Sequence, residues 1–310
     1  MGRADGSSDP QLPLDVGEDS GVTPAASVST PEPASGKKAS RAGRNLPAAI
    51  AVGAGLGALV IVILLFAPTA WFAVVSGAIG IATWEVTKRL READVLVPRL
   101  PLLLGGQAII WLGWPYGTTG MLAAFTGTVV VTMLWRLFDH GLVAQPRNYL
   151  RDTAVAVFTA AWLPLLASFA TLMVLEEQGA ARVFCLMLVT VSSDIGGYAA
   201  GVLFGKHTMA PAISPKKSWE GFGGSLVACV AVGVLTVMLL LDGPWWVGAL
   251  LGVVLVLTAT AGDLIESQVK RDLGIKDMGT LLPGHGGLMD RLDSILPSAF
   301  VTWLILTIFV

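Results

Sequence analysis

Long apolar segments recur along most of the chain and are separated by short polar stretches. Hydrophobic residues make up 54% of the 310 residues, charged residues only 14%, and the mean hydropathy is +0.71. A helix that crosses a bilayer needs about 20 mostly apolar residues. The sequence therefore predicts an all-α, polytopic integral membrane protein with about nine transmembrane helices. The predicted spans are 46–66, 69–87, 100–114, 117–138, 152–174, 182–204, 221–241, 245–265 and 294–310.

The positions of the basic residues give an orientation, because lysine and arginine concentrate in cytoplasmic loops. With these spans, every lysine and arginine except Arg182 falls on one side of the membrane, which is 19 of 20. We therefore expect a cytoplasmic N-terminus, a C-terminus outside and an odd number of spans. The expected location is the cell (inner, plasma) membrane, with the polar loops facing the cytoplasm.

Composition divides the chain into three parts. Residues 1–45 are rich in Ser, Pro, Ala, Gly and Asp and lack a hydrophobic period, which predicts a disordered cytoplasmic tail. Residues 46–175 are expected to form transmembrane scaffold helices. Residues 176–310 carry most of the polar residues near the spans and are expected to form a transmembrane catalytic region with a site that faces the cytoplasm.

One acidic residue stands out in the scaffold region. Glu85 lies near the end of the second predicted span, close to Lys88 and Arg89. Ionisable residues at membrane depth are costly unless they are paired. We expect an interfacial ion pair between Glu85 and one of these two cations.

A first polar cluster interrupts the sixth predicted span, where Ser192, Ser193 and Asp194 precede two glycines and a tyrosine. A carboxylate within an apolar helix must face the protein interior or water. Asp194 is therefore a candidate for contact with a metal or a substrate. The alternative is a buried, hydrogen-bonded aspartate that holds helices together.

A second cluster is the basic loop from Gly205 to Gly221, which reads GKHTMAPAISPKKSWEG. Its lysines could bind phosphates as point charges. The alternative is a basic loop that serves only to set topology. The glycine pattern of a Walker P-loop is absent.

A third cluster begins at the end of the eighth predicted span. Asp263, Glu266, Ser267 and Lys270 recur at helical spacing and share one helix face. Asp290 and a further aspartate three residues later lie just before the last span. Carboxylates from two helices could form a Mg²⁺ site, because Mg²⁺ takes a few carboxylates together with water and substrate phosphates.

The stretch SQVKRDLGIKDMGTLLPGHGGLMDRLD, residues 267–293, resembles the signature of phosphatidate cytidylyltransferases, the CDP-diacylglycerol synthases. The upstream segments SDIGGY and APAISPKKSWEG resemble the same family in the same order. The resemblance covers roughly residues 46–310. It implies that CTP and phosphatidate react to CDP-diacylglycerol and pyrophosphate, with Mg²⁺ as the cofactor.

The resemblance and the residue chemistry together predict three groups of site residues. The predicted metal ligands are Asp263, Asp290 and Asp194. The predicted catalytic residues are Lys270, Arg271, Asp293 and His285. The predicted substrate-binding residues are Ser214, Lys216, Lys217, Lys276, Asp277, Gly286, Gly287 and Arg291. The expected partners are CTP and phosphatidate in the bilayer, with no nucleic acid and with a homodimer allowed.

Two other functions compete with this interpretation. A transporter or flippase for an anionic lipid or metabolite would need polar groups on both sides of the membrane, whereas nearly all of them lie on one side. A CTP-dependent lipid-alcohol kinase is a closer enzymatic alternative. The CDP-alcohol phosphotransferases are disfavoured, because their spaced pattern of aspartates and glycines is missing.

Overall fold

The computed structural model describes residues 46–139, 142–281 and 286–310. The predicted disordered tail, residues 1–45, lies outside these ranges, as does His285. The helices are α1 Leu46–Phe66, α2 Trp71–Glu92, α3 Arg99–Phe138, α4 Tyr149–Ala160, α5 Leu166–Leu175, α6 Gly179–Phe204, α7 Trp219–Leu240, α8 Trp245–Asp272, α9 Met289–Leu292 and α10 Ile295–Phe309. A short π-helical segment, Ala161–Leu165, joins α4 to α5.

Seven of the described helical segments are long and apolar enough to cross a membrane. They are Pro68–Glu92, Arg99–Phe138, Tyr149–Leu175, Gly179–Phe204, Trp219–Leu240, Trp245–Asp272 and Met289–Phe309. The prediction of an all-α polytopic membrane protein is therefore confirmed in its main feature. The exception is a small antiparallel hairpin, β1 Thr208–Ala210 and β2 Ser214–Ser218, within the loop between α6 and α7.

Helix α3 is a hairpin of two helical arms. Its 40 residues would measure about 60 Å if straight, about twice the hydrocarbon thickness of a bilayer. The backbone leaves helical geometry at Gly117, with φ 56° and ψ −143°, a conformation that glycine adopts readily. Gly105 in the first arm lies directly against the side chain of Thr128 in the second. The predicted spans 100–114 and 117–138 are therefore these two arms.

The first half of the chain is tied together by a buried ion pair. Arg136 at the end of α3 is only 2% exposed, and its Nη2 lies 2.9 Å from Oδ2 of Asp152 in α4. The same guanidinium donates to the carbonyl of Arg147 at 2.8 Å. A buried charge is tolerated when its partner and hydrogen bonds are supplied in this way. The pair fixes the start of α4 against the end of α3.

Helices α6, α7 and α8 pack closely through small residues. A Cβ added at Gly196 in α6 would lie 2.7 Å from the Cβ of Ala228 in α7, and one at Gly248 in α8 would lie 2.6 Å from the Cα of Val234 in α7. In membranes, where burial of apolar surface gives little drive for association, such close approach supplies the packing energy. The close packing aligns the polar ends of α6 and α8.

A third close approach joins α8 to the start of α10. A Cβ at Gly262 would overlap the carbonyl oxygen of Asp293 and lie 2.7 Å from Cγ of Pro297. Only a residue without a side chain fits this contact. Gly262 therefore sets the spacing between Asp263, its neighbour in α8, and Asp293.

We expect Gly262→Ala to lower the melting temperature of the detergent-solubilised protein, because the new methyl group must push α10 away from α8. The matched control is Gly223→Ala in α7, where an added Cβ meets nothing within 4 Å. At an open helical site, alanine is neutral or stabilising relative to glycine. Equal melting temperatures for the two variants would contradict the assigned contact.

Candidate active site

Two polar cavities meet at the aligned ends of α6 and α8. The hairpin cavity, about 330 Å³, lies between α6, α7, α8 and the β-hairpin. The loop cavity, about 850 Å³, lies between α6, α8, residues 276–280 with Gly286, and the start of α10. Both are lined by Asp194, Tyr198, Asp263 and Ser294. The two cavities therefore adjoin at these four side chains.

The basic loop from Gly205 to Gly221 forms a β-hairpin that is held against the start of α7. Glu220 in the first turn of α7 accepts the backbone N–H groups of Lys206 and His207 at 3.1 and 3.2 Å. Its other oxygen lies 2.6 Å from Nδ1 of His207. Ser218 caps α7 by accepting the N–H of Gly221 at 3.1 Å. These bonds place Lys216 and Lys217 on the wall of the hairpin cavity.

Asp263 lies at the centre of the site. Its Oδ2 is 2.6 Å from Nζ of Lys217, and its Oδ1 accepts the hydroxyl of Ser267 at 3.2 Å. It is close enough to Asp194 and Asp293 for their negative charges to repel. All three carboxylates line the loop cavity and concentrate negative charge in it.

Asp290 is in a different setting. Its Oδ2 accepts the N–H of Gly287 at 2.8 Å, and the N–H of Met278 is shared between its two oxygens at 3.2 and 3.1 Å. Its Oδ1 also lies 3.0 Å from Nζ of Lys270. A carboxylate has about four lone-pair positions. Asp290 therefore spends most of its acceptor capacity on joining the two ends of the loop between α8 and α9.

Lys270 bridges two carboxylates. Its ammonium binds Glu266 one helical turn earlier, as well as Asp290. Glu266 is fully buried, and its Oε1 has no hydrogen-bond partner among the described residues. The bridge attaches the loop to the end of α8. Glu266 was recognised as part of the helix face but was not predicted as a site residue, although its i, i+4 spacing to Lys270 carried the signal.

The remaining predicted residues divide between the cavities and the surrounding loops. The loop cavity is lined by Lys276, Asp277, Gly286 and Arg291, in addition to Asp194, Asp263, Lys270, Asp290 and Asp293. Three others do not line either described cavity. Ser214 begins β2, Gly287 is buried within the loop, and Arg271 donates from Nε to the carbonyl of Ile213 at 3.4 Å. Arg271 thus connects the end of α8 to the hairpin.

The expected ion pair of Glu85 does not form among the described residues. Lys88 and Arg89 lie near Glu92 instead, at 3.9 and 2.8 Å. Glu85 turns inward, where its Oε2 accepts the N–H of Met289 at 3.0 Å. The expectation considered only neighbours on the same helix, whereas the partner lies 204 residues further along the chain.

Comparison with known proteins shows the family to which the chain belongs. Residues 47–309 match the model of the Cytidylyltransferase family. The chain is 58% identical over 283 residues to a phosphatidate cytidylyltransferase of Mycobacterium leprae, covering 88% of this chain and 91% of the relative. It is 56% identical over 277 residues to one of Mycobacterium bovis, covering 87% and 90%. A relative of the same name from Staphylococcus saprophyticus is 34% identical over 167 residues, covering 53% and 63%. The chain belongs to the cytidylyltransferase family.

Proposed function

We propose that this protein transfers the CMP moiety of CTP to phosphatidate, giving CDP-diacylglycerol and pyrophosphate. The observation that carries the proposal is the meeting of two cavities at Asp263, with lysines around both. Two anionic reactants need adjoining compartments and cations at their junction. The function follows the name of the mycobacterial relatives, which align over nearly the whole chain.

The reaction needs charge neutralisation more than a protein nucleophile. A phosphate oxygen of phosphatidate attacks the α-phosphorus of CTP, a new P–O bond forms, and the bond to the β-phosphate oxygen breaks as pyrophosphate leaves. Such transfers are driven mainly by positioning and by stabilisation of developing charge. Lys216 and Lys217 line the hairpin cavity, and Lys276 and Arg291 line the loop cavity. We assign phosphate binding to these four cations.

The sizes of the cavities suggest which reactant enters each one. The loop cavity, about 850 Å³, falls in the range that holds a ligand as large as a nucleotide, and we assign CTP to it. The hairpin cavity lies among α6, α7 and α8, and its lining includes Phe222, Met209 and Ala259. We assign the phosphatidate headgroup to this cavity.

The residues at the junction fit Mg²⁺. The described residues contain no preformed group of three or more metal-binding side chains at coordinating distance, but Mg²⁺ is commonly held by one or two carboxylates together with substrate phosphates. We propose that Asp263, with Asp194 and Asp293, would hold it. The ion would neutralise phosphate charge and polarise the α-phosphate. The metal role predicted for Asp290 competes with that residue's four hydrogen-bonding contacts.

We further propose nine membrane spans, with the N-terminus and the active site in the cytoplasm and the C-terminus outside, in the cell membrane. The break at Gly117 supports this count because it returns α3 to its starting side. Contacts between loops support the orientation. Arg89 donates to the carbonyl of Met278 at 2.9 Å, and Arg151 to that of Asp94 at 2.5 Å, so that basic loops far apart in sequence meet at one end. Under this arrangement, the positive-inside rule makes that end cytoplasmic.

The activity is tested with CTP labelled at either the α- or the γ-phosphate, in vesicles that contain both phosphatidate and diacylglycerol, with Mg²⁺. We expect the lipid to acquire the α-label and not the γ-label. A lipid-alcohol kinase acting on a diacylglycerol or similar alcohol would transfer only the γ-label. A transporter would yield no labelled lipid from either nucleotide.

Asp263→Asn should lower kcat/KM by about 10²-fold or more, because it removes the negative charge that is proposed to hold Mg²⁺ at the phosphoryl-transfer site. The loss should shrink only slightly at high Mg²⁺. The matched control is Asp272→Asn on the same helix, where the carboxylate is exposed and accepts a hydrogen bond from Gln268 at 2.6 Å. Turnover near the wild-type rate by well-folded Asp263→Asn would remove Asp263 from the metal site.

The orientation is tested with single-cysteine reporters in a variant lacking Cys185 and Cys229. A membrane-impermeant maleimide should label Gln178→Cys in intact cells, because this position is expected to lie outside. It should label Asp272→Cys only after permeabilisation. The reverse pattern would contradict the proposed orientation.

A further inference from the structure

Glu85 lies in the half of the chain that was expected to act only as scaffold, yet it reaches the signature loop. It is 7% exposed, and its Oε2 accepts the N–H of Met289 at 3.0 Å. Met289 begins α9, directly before Asp290. Burying a carboxylate beside a membrane span costs several kcal/mol unless its bonds compensate. A leucine at this position would avoid the cost of burying a charge, so the presence of a carboxylate here needs an explanation.

Two glycines of the loop make room for this carboxylate. A Cβ added at Gly279 would overlap the carboxyl group of Glu85, and one at Gly287 would lie 2.7 Å from Oε2 of Glu85 and 2.6 Å from the backbone nitrogen of Gly279. The two ends of the loop therefore lie against each other and against Glu85. Side chains at either glycine would separate them.

The opposite side of the same loop is held by Asp290. This carboxylate accepts the N–H groups of Met278 and Gly287, so it joins the same two parts of the loop that Glu85 contacts from α2. Arg89, one turn after Glu85 on α2, donates to the carbonyl of Met278 at 2.9 Å. The contacts from α2 are made with Met278 and Met289. The residues next to these two in sequence, Asp277, Gly279 and Asp290, line the loop cavity.

We propose that Glu85 is a positioning residue for the reaction, which fixes residues 277–279 and 287–290 against α2. It sets the placement of Asp277 and Asp290 in the loop cavity and does not itself line either described cavity. Its oxygen acts as an acceptor for the Met289 N–H, and its bulk fills the space between the glycines. This inference rests on the proposed function for its kinetic consequence, but the structural consequence can be measured without turnover.

The test compares Glu85→Gln, Glu85→Ala and a control, Thr83→Ala, in the full-length protein. Glutamine keeps the size and an acceptor oxygen, whereas alanine removes both. Thr83 is also buried, and its hydroxyl has no hydrogen-bond partner among the described residues. It lies two residues earlier, about 200° around the helix, so it faces away from Glu85. The control measures the effect of truncating a buried polar side chain elsewhere on α2.

The first measurement is hydrogen exchange of the segment 277–290 without substrate. Glu85→Ala should speed exchange at the Met289 amide by about tenfold, the effect of losing roughly one hydrogen bond. Glu85→Gln and Thr83→Ala should leave it within about twofold. This result does not depend on which reaction the protein catalyses, so it separates failure of the positioning role from failure of the proposed function.

The second measurement is CTP-dependent turnover. Glu85→Ala should lower kcat/KM for CTP by at least about tenfold, with a loss of thermal stability no larger than that of Thr83→Ala. Glu85→Gln should retain most activity. A Glu85→Ala protein with unchanged exchange and kinetics would overturn the proposal. So would a Glu85→Gln protein as impaired as Glu85→Ala, or equal losses in Glu85→Ala and Thr83→Ala.

A double-mutant cycle guards against misfolding of a single variant. Gly279→Ala places a methyl group against the Glu85 carboxyl and should lower kcat/KM in the wild-type background. In the Glu85→Ala background that space is free, so the same change should have a much smaller effect. Independent, multiplicative effects of the two substitutions would show that Glu85 and Gly279 do not share the contact, and would overturn the proposal.

Discussion

The site depends on how charges are accommodated at the ends of membrane helices. Asp263, Asp194 and Asp293 converge where α6, α8 and α10 meet, and Lys217 at 2.6 Å from Asp263 offsets part of their charge. Isolated charges at this depth would destabilise the fold, so their grouping requires compensating positive charge. The close packing at Gly262 and Gly196 makes the grouping possible, because larger residues would hold the helices apart. Helix packing and substrate chemistry are therefore linked through the same few positions.

A second set of interactions organises the loop that closes the larger cavity. Asp290 joins its two ends, and Lys270 ties Asp290 to the buried Glu266 on α8. The charged residues in this loop thus divide by geometry into those that shape it and those that face the cavity, such as Lys276 and Asp277. Substitution of Asp290 or Asp263 by asparagine should consequently impair the protein for different physical reasons. At Asp290 the loop loses order, and at Asp263 the junction of the two cavities loses a negative charge.

Much of the fold could be predicted from the sequence because bilayer thickness fixes the length of an apolar helix. Eight of the predicted spans fall on described apolar helical segments, with 100–114 and 117–138 as the two arms of α3. Local spacing also predicted the shared face of Asp263 and Lys270. The β-hairpin was missed because its prolines and lysines predicted only a basic loop, and it is held by contacts with Glu220 that no local pattern specifies.

The contact of Glu85 with Met289 shows why the rest of the site could not be predicted. Its two residues are separated by 204 positions, and periodicity relates only residues on the same helix or strand. The ion pair expected with Lys88 or Arg89 was one local possibility, but both cations pair with Glu92 on the same helix, at i, i+4 and i, i+3 spacing. The glycines at 279 and 287 were visible in the sequence as sites of close approach, yet nothing in it identified what approaches them. Glu85 is the one charged residue within the predicted span 69–87, so the sequence singles it out, while only the three-dimensional structure supplies its partner.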